Sequence, residues 1–176
     1  MSASPVSPPY TEPWLRGTHT GIPAAGRAVV HALELALDDL RKWTAGLTAA
    51  EVHAAPFGLM TVASQLRHIA GSVDRILTYA EDKRLSDEQL ARGRAEQEGG
   101  ESLSELLASV EASFAGAFAR IRALAGQNLE QPRAVGRKQL PTCLGGALVH
   151  VADHTQRHVG QVVVTVKVLQ GLRNGR

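Results

Sequence analysis

The sequence lacks several features that would place it in particular protein classes. Its 176 residues contain one cysteine, Cys143, so no disulfide can form within the chain, which favours a reducing compartment. Aromatic residues make up only 4% of the chain. No apolar run approaches the roughly 20 residues that a membrane-spanning helix needs. No charged segment followed by an apolar one stands at the N-terminus, so no secretory signal is predicted. We therefore expect a cytoplasmic protein without a membrane partner.

Charges of both signs are mixed along the whole chain. Lysine and arginine total 19 and aspartate and glutamate 17, which gives a formal net charge of +2. No basic stripe alternates with aromatic residues, as a surface that binds nucleic acid would require, so no nucleic-acid partner is predicted. Hydrophobic residues make up 44% of the chain, close to the globular average, and the length fits one folded domain.

Apolar residues recur at helical spacing through most of the chain. In the first helix they are Val29, Leu33, Leu37 and Leu40. Four long helices are predicted, at about residues 23–45, 61–82, 102–125 and 142–170. A capped helical turn at 48–51, a polar loop at 83–100 with a turn near 86–92, and a linker at 127–142 join them. Strand signals are almost absent. The predicted fold class is therefore all-α, a four-helix bundle of residues 23–171.

The two ends of the chain fall outside this bundle. Residues 1–22 are rich in proline and glycine, which predicts an extended N-terminal arm, with Trp14 and Leu15 as candidate anchors on the bundle. Gly171 is the expected stop of the last helix, and residues 172–176 are expected to form a basic tail.

The last predicted helix is apolar over most of its circumference. Valine occupies five of the seven positions from 162 to 168. A helix that is apolar on most sides is usually buried on most sides. We therefore predict a homodimer, with cover by the N-terminal arm as the alternative.

Seven histidines are present, and three of them fall within nine residues, at His150, His154 and His158. Helical residues four apart lie one turn above each other, so His154 with His158, or His150 with His154, can bind one metal ion together. All three would have difficulty sharing one ion, because their directions diverge. The best further ligand is His68, within the second long helix. The remaining histidines, His19, His31 and His53, are interpreted as surface or loop residues.

Two segments carry a resemblance to a known family. They are LRHIAGSVDRILTYA at residues 66–80 and HVADHTQRHVGQ at residues 150–161. With them, the chain resembles the DinB-like superfamily, also called YfiT-like metal-dependent hydrolases, from about Pro23 to Gly171. The resemblance implies a four-helix bundle that binds Zn²⁺ or Ni²⁺ through His68, His154 and His158. It also implies a dimer and, by analogy with several relatives, transfer of low-molecular-weight thiols.

A site with three histidine ligands leaves a coordination position open, which is typical of catalytic sites. The leading hypothesis is activation of a thiol or of water against a small electrophile. Gln161 is expected either to orient His158 or a substrate or to make a contact between helices, and His150 to lie beside the site. Catalysis itself stays open. A non-catalytic dimeric sensor or interaction module is favoured by the lack of an obvious general base, and a metal-free helical binding protein is the third class.

Overall fold

The computed structural model describes residues 10–175, and four long helices dominate it. They are α1 (Ala24–Thr44), α3 (Val62–Ala80), α5 (Leu103–Ala125) and α6 (Leu144–Arg173). Two short helices, α2 (Ala49–Val52) and α4 (Asp87–Arg94), lie in the connections, with 3₁₀ turns at Pro13–Leu15, Pro56–Gly58 and Ala95–Gln97. The prediction of an all-α four-helix bundle is confirmed.

Side chains at the helix starts explain several of these boundaries. Thr48 with Glu51 and Ser102 with Glu105 form reciprocal capping boxes at α2 and α5, as their sequence spacing predicts. A third box, formed by Ser86 and Gln89, opens α4. These caps satisfy backbone N–H groups that a helix leaves unpaired, so they fix where each helix begins.

The packing order of the four helices decides which side chains can meet. Helix α1 packs against α5 and α6, and α3 packs against the same two helices. Aliphatic side chains fill the space between them, together with one aromatic ring, Phe114. Because α3 and α6 are neighbours along their length, polar residues on their facing sides are brought together.

A small β-hairpin occupies the linker for which no strand was predicted. Strand β1 (Pro132–Val135) pairs antiparallel with β2 (Leu140–Cys143), with Val135 opposite Leu140. Strands of four residues are too short for alternation to be recognised in sequence. The last helix consequently begins at Leu144, two residues later than expected, and Cys143 Sγ accepts a hydrogen bond from Gly146 N at 3.3 Å.

The predicted stop of the last helix at Gly171 is wrong. Helix α6 continues through Gly171 to Arg173, whose guanidinium pairs with Glu51 at 2.9 Å. Two residues of the predicted basic tail are thus helical, and Arg176 lies outside the described residues. Valines 162 and 166 are buried in the bundle itself, whereas Val163 and Val168 are partly exposed and Val164 is 52% exposed.

The N-terminal arm lies on α1, but not through the predicted anchors. Residues 1–9 of the arm lie outside the described residues. Trp14 and Leu15 are 61% and 57% exposed, whereas Pro13 and Ile22 are buried. The arm is held on the bundle by these two buried residues and by polar contacts to α1, of which Arg16 with Asp38 at 2.8 Å is one.

No helix within residues 10–175 has both the length and the apolar character that crossing a bilayer requires.

Candidate metal centre

Three histidine rings from two neighbouring helices meet at one point of the bundle. His68 comes from α3, and His154 and His158 come from successive turns of α6. The ring centroid of His68 lies 5.1 Å from that of His154 and 4.3 Å from that of His158. The His154 and His158 centroids are 4.6 Å apart. Each residue offers a ring nitrogen, and these nitrogens all lie within 4.8 Å of one another.

Hydrogen bonds on the outer side of two rings determine which nitrogen faces the centre. His68 Nδ1 lies 2.7 Å from Glu96 Oε2, and His158 Nδ1 lies 2.7 Å from Gln65 Oε1. A carboxylate or amide oxygen can only accept, so each Nδ1 must donate its proton. The Nε2 atoms of His68 and His158 are therefore left with free lone pairs in the neutral ring. This is the outer arrangement that usually orients metal-binding imidazoles.

Gln161 belongs to the same chain of hydrogen bonds. Its Oε1 accepts from Gln65 Nε2 at 2.9 Å, and this donation turns the amide oxygen of Gln65 towards His158. Gln161 thus makes a contact between α6 and α3 and, through Gln65, helps to orient His158. Both roles left open by the sequence are combined in one side chain.

Glu96 is held in its position by charge. Its second oxygen pairs with Arg75 Nη2 at 2.7 Å. Burial opposes ionisation of this carboxyl, but hydrogen bonds from His68 and Arg75 outweigh it and lower the Glu96 pKa. A carboxylate that stays charged is a strong acceptor for the His68 Nδ1 proton.

The histidines of α6 are held in their neutral form. Burial, with the nearby rings of His158 and His68, lowers the pKa of His154 to about 4. Burial also lowers the pKa of His158, and His68 contributes to the effect. At neutral pH these rings are therefore unprotonated and able to act as ligands.

The arrangement of nitrogen atoms fits a divalent transition metal. His68 Nε2 and His154 Nε2 are 2.9 Å apart, a distance at which two free lone pairs repel unless a proton or a cation lies between them. The buried Nδ1 of His154 has no hydrogen-bond partner among residues 10–175, so Nε2 carries the polar contact of this ring. Three imidazole nitrogens are a donor set suited to a divalent transition metal such as Zn²⁺ or Ni²⁺.

Other residues that the sequence singled out lie outside this centre. His150 is half-exposed and pairs with Asp153 at 2.8 Å, although its ring lies 5.1 Å from that of His154. His53 is exposed and contacts the backbone of Glu101. The interpretation of His31 as a surface or loop residue is wrong, because it is only 7% exposed within α1.

Sequence reasoning missed both residues that orient the rings. Gln65 precedes His68 by three positions on α3, so its place on the same helical face was readable. Glu96 comes from a 3₁₀ turn 28 residues after His68, and no spacing rule connects the two.

A comparison with protein-family models shows to which family the chain belongs. The model of the DinB superfamily matches residues 32–162, about three quarters of the chain. The chain belongs to the DinB superfamily. The matched range contains His68, His154 and His158, whereas His19 and His31 precede it. A search of curated proteins finds no match to this DinB-superfamily chain.

Proposed function

We propose that this DinB-superfamily chain binds one Zn²⁺ or Ni²⁺ ion through Nε2 of His68, His154 and His158, and that it activates a small thiol there for transfer to a small electrophile. The observation that carries the proposal is the pair of outward Nδ1 hydrogen bonds, to Glu96 and Gln65. A bound ion with three protein ligands would keep one position open and lower the pKa of a thiol or water held at it.

A thiol suits the site better than water because no free carboxylate is available as a base. Among residues 10–175, three acids that lie close to the histidines in space or in sequence are engaged: Glu96 with His68 and Arg75, Asp153 with His150, and Asp74 with Arg120. Neutral ligands also leave the ion with its full charge, which favours an anionic thiolate. A thiol bound to the metal loses its proton without a protein base. The cytoplasm, where small thiols stay reduced, is the expected location.

The second candidate is a non-catalytic dimeric metal-binding module. It is favoured by apolar side chains that remain exposed: Phe57 is 85% and Val164 52% exposed. The loop that carries Phe57 lies against α6 close to Val164, since Thr165 donates a hydrogen bond to Met60 O at 3.3 Å. A homodimer would cover such a surface, and it stays a prediction.

The test of the thiol proposal uses protein loaded with Co²⁺ or Ni²⁺ at the three-histidine centre. Cysteine and a cysteine-containing tripeptide are expected to shift the absorption bands, because a thiolate enters the open position. Metal-dependent thiol transfer to an epoxide or an activated chloroarene is expected to be faster than ester hydrolysis. The His154→Ala/His158→Ala variant is the control and should lose both effects.

Two outcomes would overturn the thiol proposal. If thiols leave the spectrum unchanged while 4-nitrophenyl acetate is hydrolysed in a metal-dependent way, the chain is a hydrolase. If neither spectrum nor turnover responds, the non-catalytic module becomes the better interpretation.

The role of Glu96 gives a separate prediction. Glu96→Ala is expected to lower Zn²⁺ affinity by about 10–100-fold, because His68 loses the acceptor that orients it. Competition with a chromophoric chelator measures the change. Glu98→Ala is the matched control, since Glu98 is an exposed acid two residues away and should have no effect. An unchanged affinity in Glu96→Ala would show that the ring of His68 is oriented by other contacts.

A further inference from the structure

A second cluster of metal-binding side chains lies where the N-terminal arm crosses α1. His31 and Glu34 are three residues apart on α1, and His19 approaches from the arm. His19 Nε2 is 2.7 Å from Glu34 Oε1, and the ring centroids of His19 and His31 are 5.6 Å apart. One donor atom from each residue lies within 4.8 Å of the other two.

The backbone of the arm holds His19 over α1 in an unfavourable conformation. His19 has a φ of 57°, in the left-handed region that non-glycine residues rarely occupy. Its carbonyl accepts from Ile22 N at 2.9 Å, and Ile22 is buried against the bundle. The His19 ring also packs edge-on against Phe118 of α5, with centroids 6.0 Å apart. The position of this ring is thus determined by several contacts together.

His31 is an imidazole in the interior of the contact between arm and helix. Its side chain is almost fully buried, and its Nε2 lies 3.1 Å from Thr18 Oγ1, next to His19 in the arm. A buried imidazole that faces a second imidazole and a carboxylate is in the surroundings that a cation favours.

A pair elsewhere on the bundle shows what a simple ion pair looks like in this protein. His150 and Asp153 have the same spacing on α6 and lie 2.8 Å apart, but both are about half-exposed. Within residues 10–175, no third donor joins them. The cluster of His19, His31 and Glu34 differs by burial and by a third donor from a separate segment.

We propose that His19, His31 and Glu34 form a second divalent transition-metal site, which takes Zn²⁺ and fastens the arm to α1. Two imidazoles and one carboxylate are an established donor set for zinc. The ion would replace the hydrogen bond between His19 and Glu34, with donor atoms moving apart to roughly 3.3 Å as tetrahedral coordination requires. The site is independent of the three-histidine centre, which uses α3 and α6. The ion would hold the arm on α1, and a water molecule would complete its coordination.

Metal stoichiometry in the absence of the first centre tests the proposal. The full-length His154→Ala/His158→Ala variant is stripped of metal, equilibrated with Zn²⁺, desalted and assayed by elemental analysis. One Zn²⁺ per chain is expected to remain. Adding Glu34→Gln, a substitution of nearly equal volume at a half-buried position, should remove it, whereas adding His150→Ala should not. No bound zinc in the double variant, or full binding after Glu34→Gln, would overturn the site.

Proteolysis of the arm provides a readout of the fastening role. Trypsin cleavage after Arg16 requires the arm to open, because Arg16 is bound to Asp38 and to Thr11 O at 2.8 Å each. In the His154→Ala/His158→Ala background, zinc at 100 times its dissociation constant is expected to slow this cleavage by up to about 100-fold. With Glu34→Gln added, zinc should have no effect. If zinc does not change the cleavage rate of the His154→Ala/His158→Ala protein, the fastening role is wrong.

Discussion

Replacement of His154 by alanine is expected to remove the metal ion from the three-histidine centre. The Glu34→Gln variant is the background for this experiment, so that only this centre is counted. One Zn²⁺ or Ni²⁺ per chain is expected in the background protein and none after desalting of the His154→Ala protein. Loss of one ligand is expected to lower the metal affinity on the order of 10²–10³-fold. This change corresponds to about a quarter of the total free energy of metal binding.

The other ligands and a control complete this experiment. His158→Ala and His68→Ala are expected to act like His154→Ala, because each removes one of the three nitrogens. His53→Ala is the matched control, since His53 is exposed and contacts only the backbone of Glu101 in the described part of the chain. Full metal occupancy in the His154→Ala/His158→Ala/Glu34→Gln protein would refute the assignment of the ligands.

Phe114→Ala is expected to destabilise the metal-free protein by about 3–5 kcal/mol, because a buried phenyl ring is removed and a cavity remains. Phe114 is 1% exposed and belongs to the core between the long helices. Urea unfolding followed by circular dichroism measures the change, and the midpoint should fall while the slope stays the same.

A second substitution on α5 adds a methyl group in open space, in contrast to the deletion of a buried ring in Phe114→Ala. An added Cβ at Gly116 would meet no atom within 4 Å, so Gly116→Ala is expected to stabilise α5 by about 0.5–1 kcal/mol. A loss below about 1 kcal/mol in Phe114→Ala would mean that the core collapses around the deleted ring.

The four long helices could be predicted because their signals are local. Apolar spacing and the capping pair at Ser102 act within a few residues, as does the pair at Thr48 that opens the short helix α2. The hairpin of β1 and β2 depends on pairing between segments too short to show a pattern. The continuation of α6 through Gly171 brings Arg173 to Glu51, more than a hundred positions away in sequence, and no local pattern indicates this contact.

Some residues of the candidate metal centre could also be predicted from the sequence, and others could not. His154 and His158 are related by helical spacing, and the resemblance supplied His68. Glu96 could not be found, because its place beside His68 results from the path of the connection between α3 and α5. The cluster at His31 was missed for a similar reason, since the arm that carries His19 buries it.

The contact between Glu96 and His68 restricts how the protein can vary in length. The segment from residue 83 to residue 100 looks like an ordinary polar loop, of the kind that tolerates insertions. Yet Arg67 donates a hydrogen bond to Glu96 O at 3.3 Å and pairs with Glu101 at 2.6 Å, so the end of this segment is fixed on α3. An inserted residue between α4 and Glu96 would shift the carboxylate away from the His68 ring. The length of this connection is therefore one of the features that place the Glu96 carboxylate beside the His68 ring.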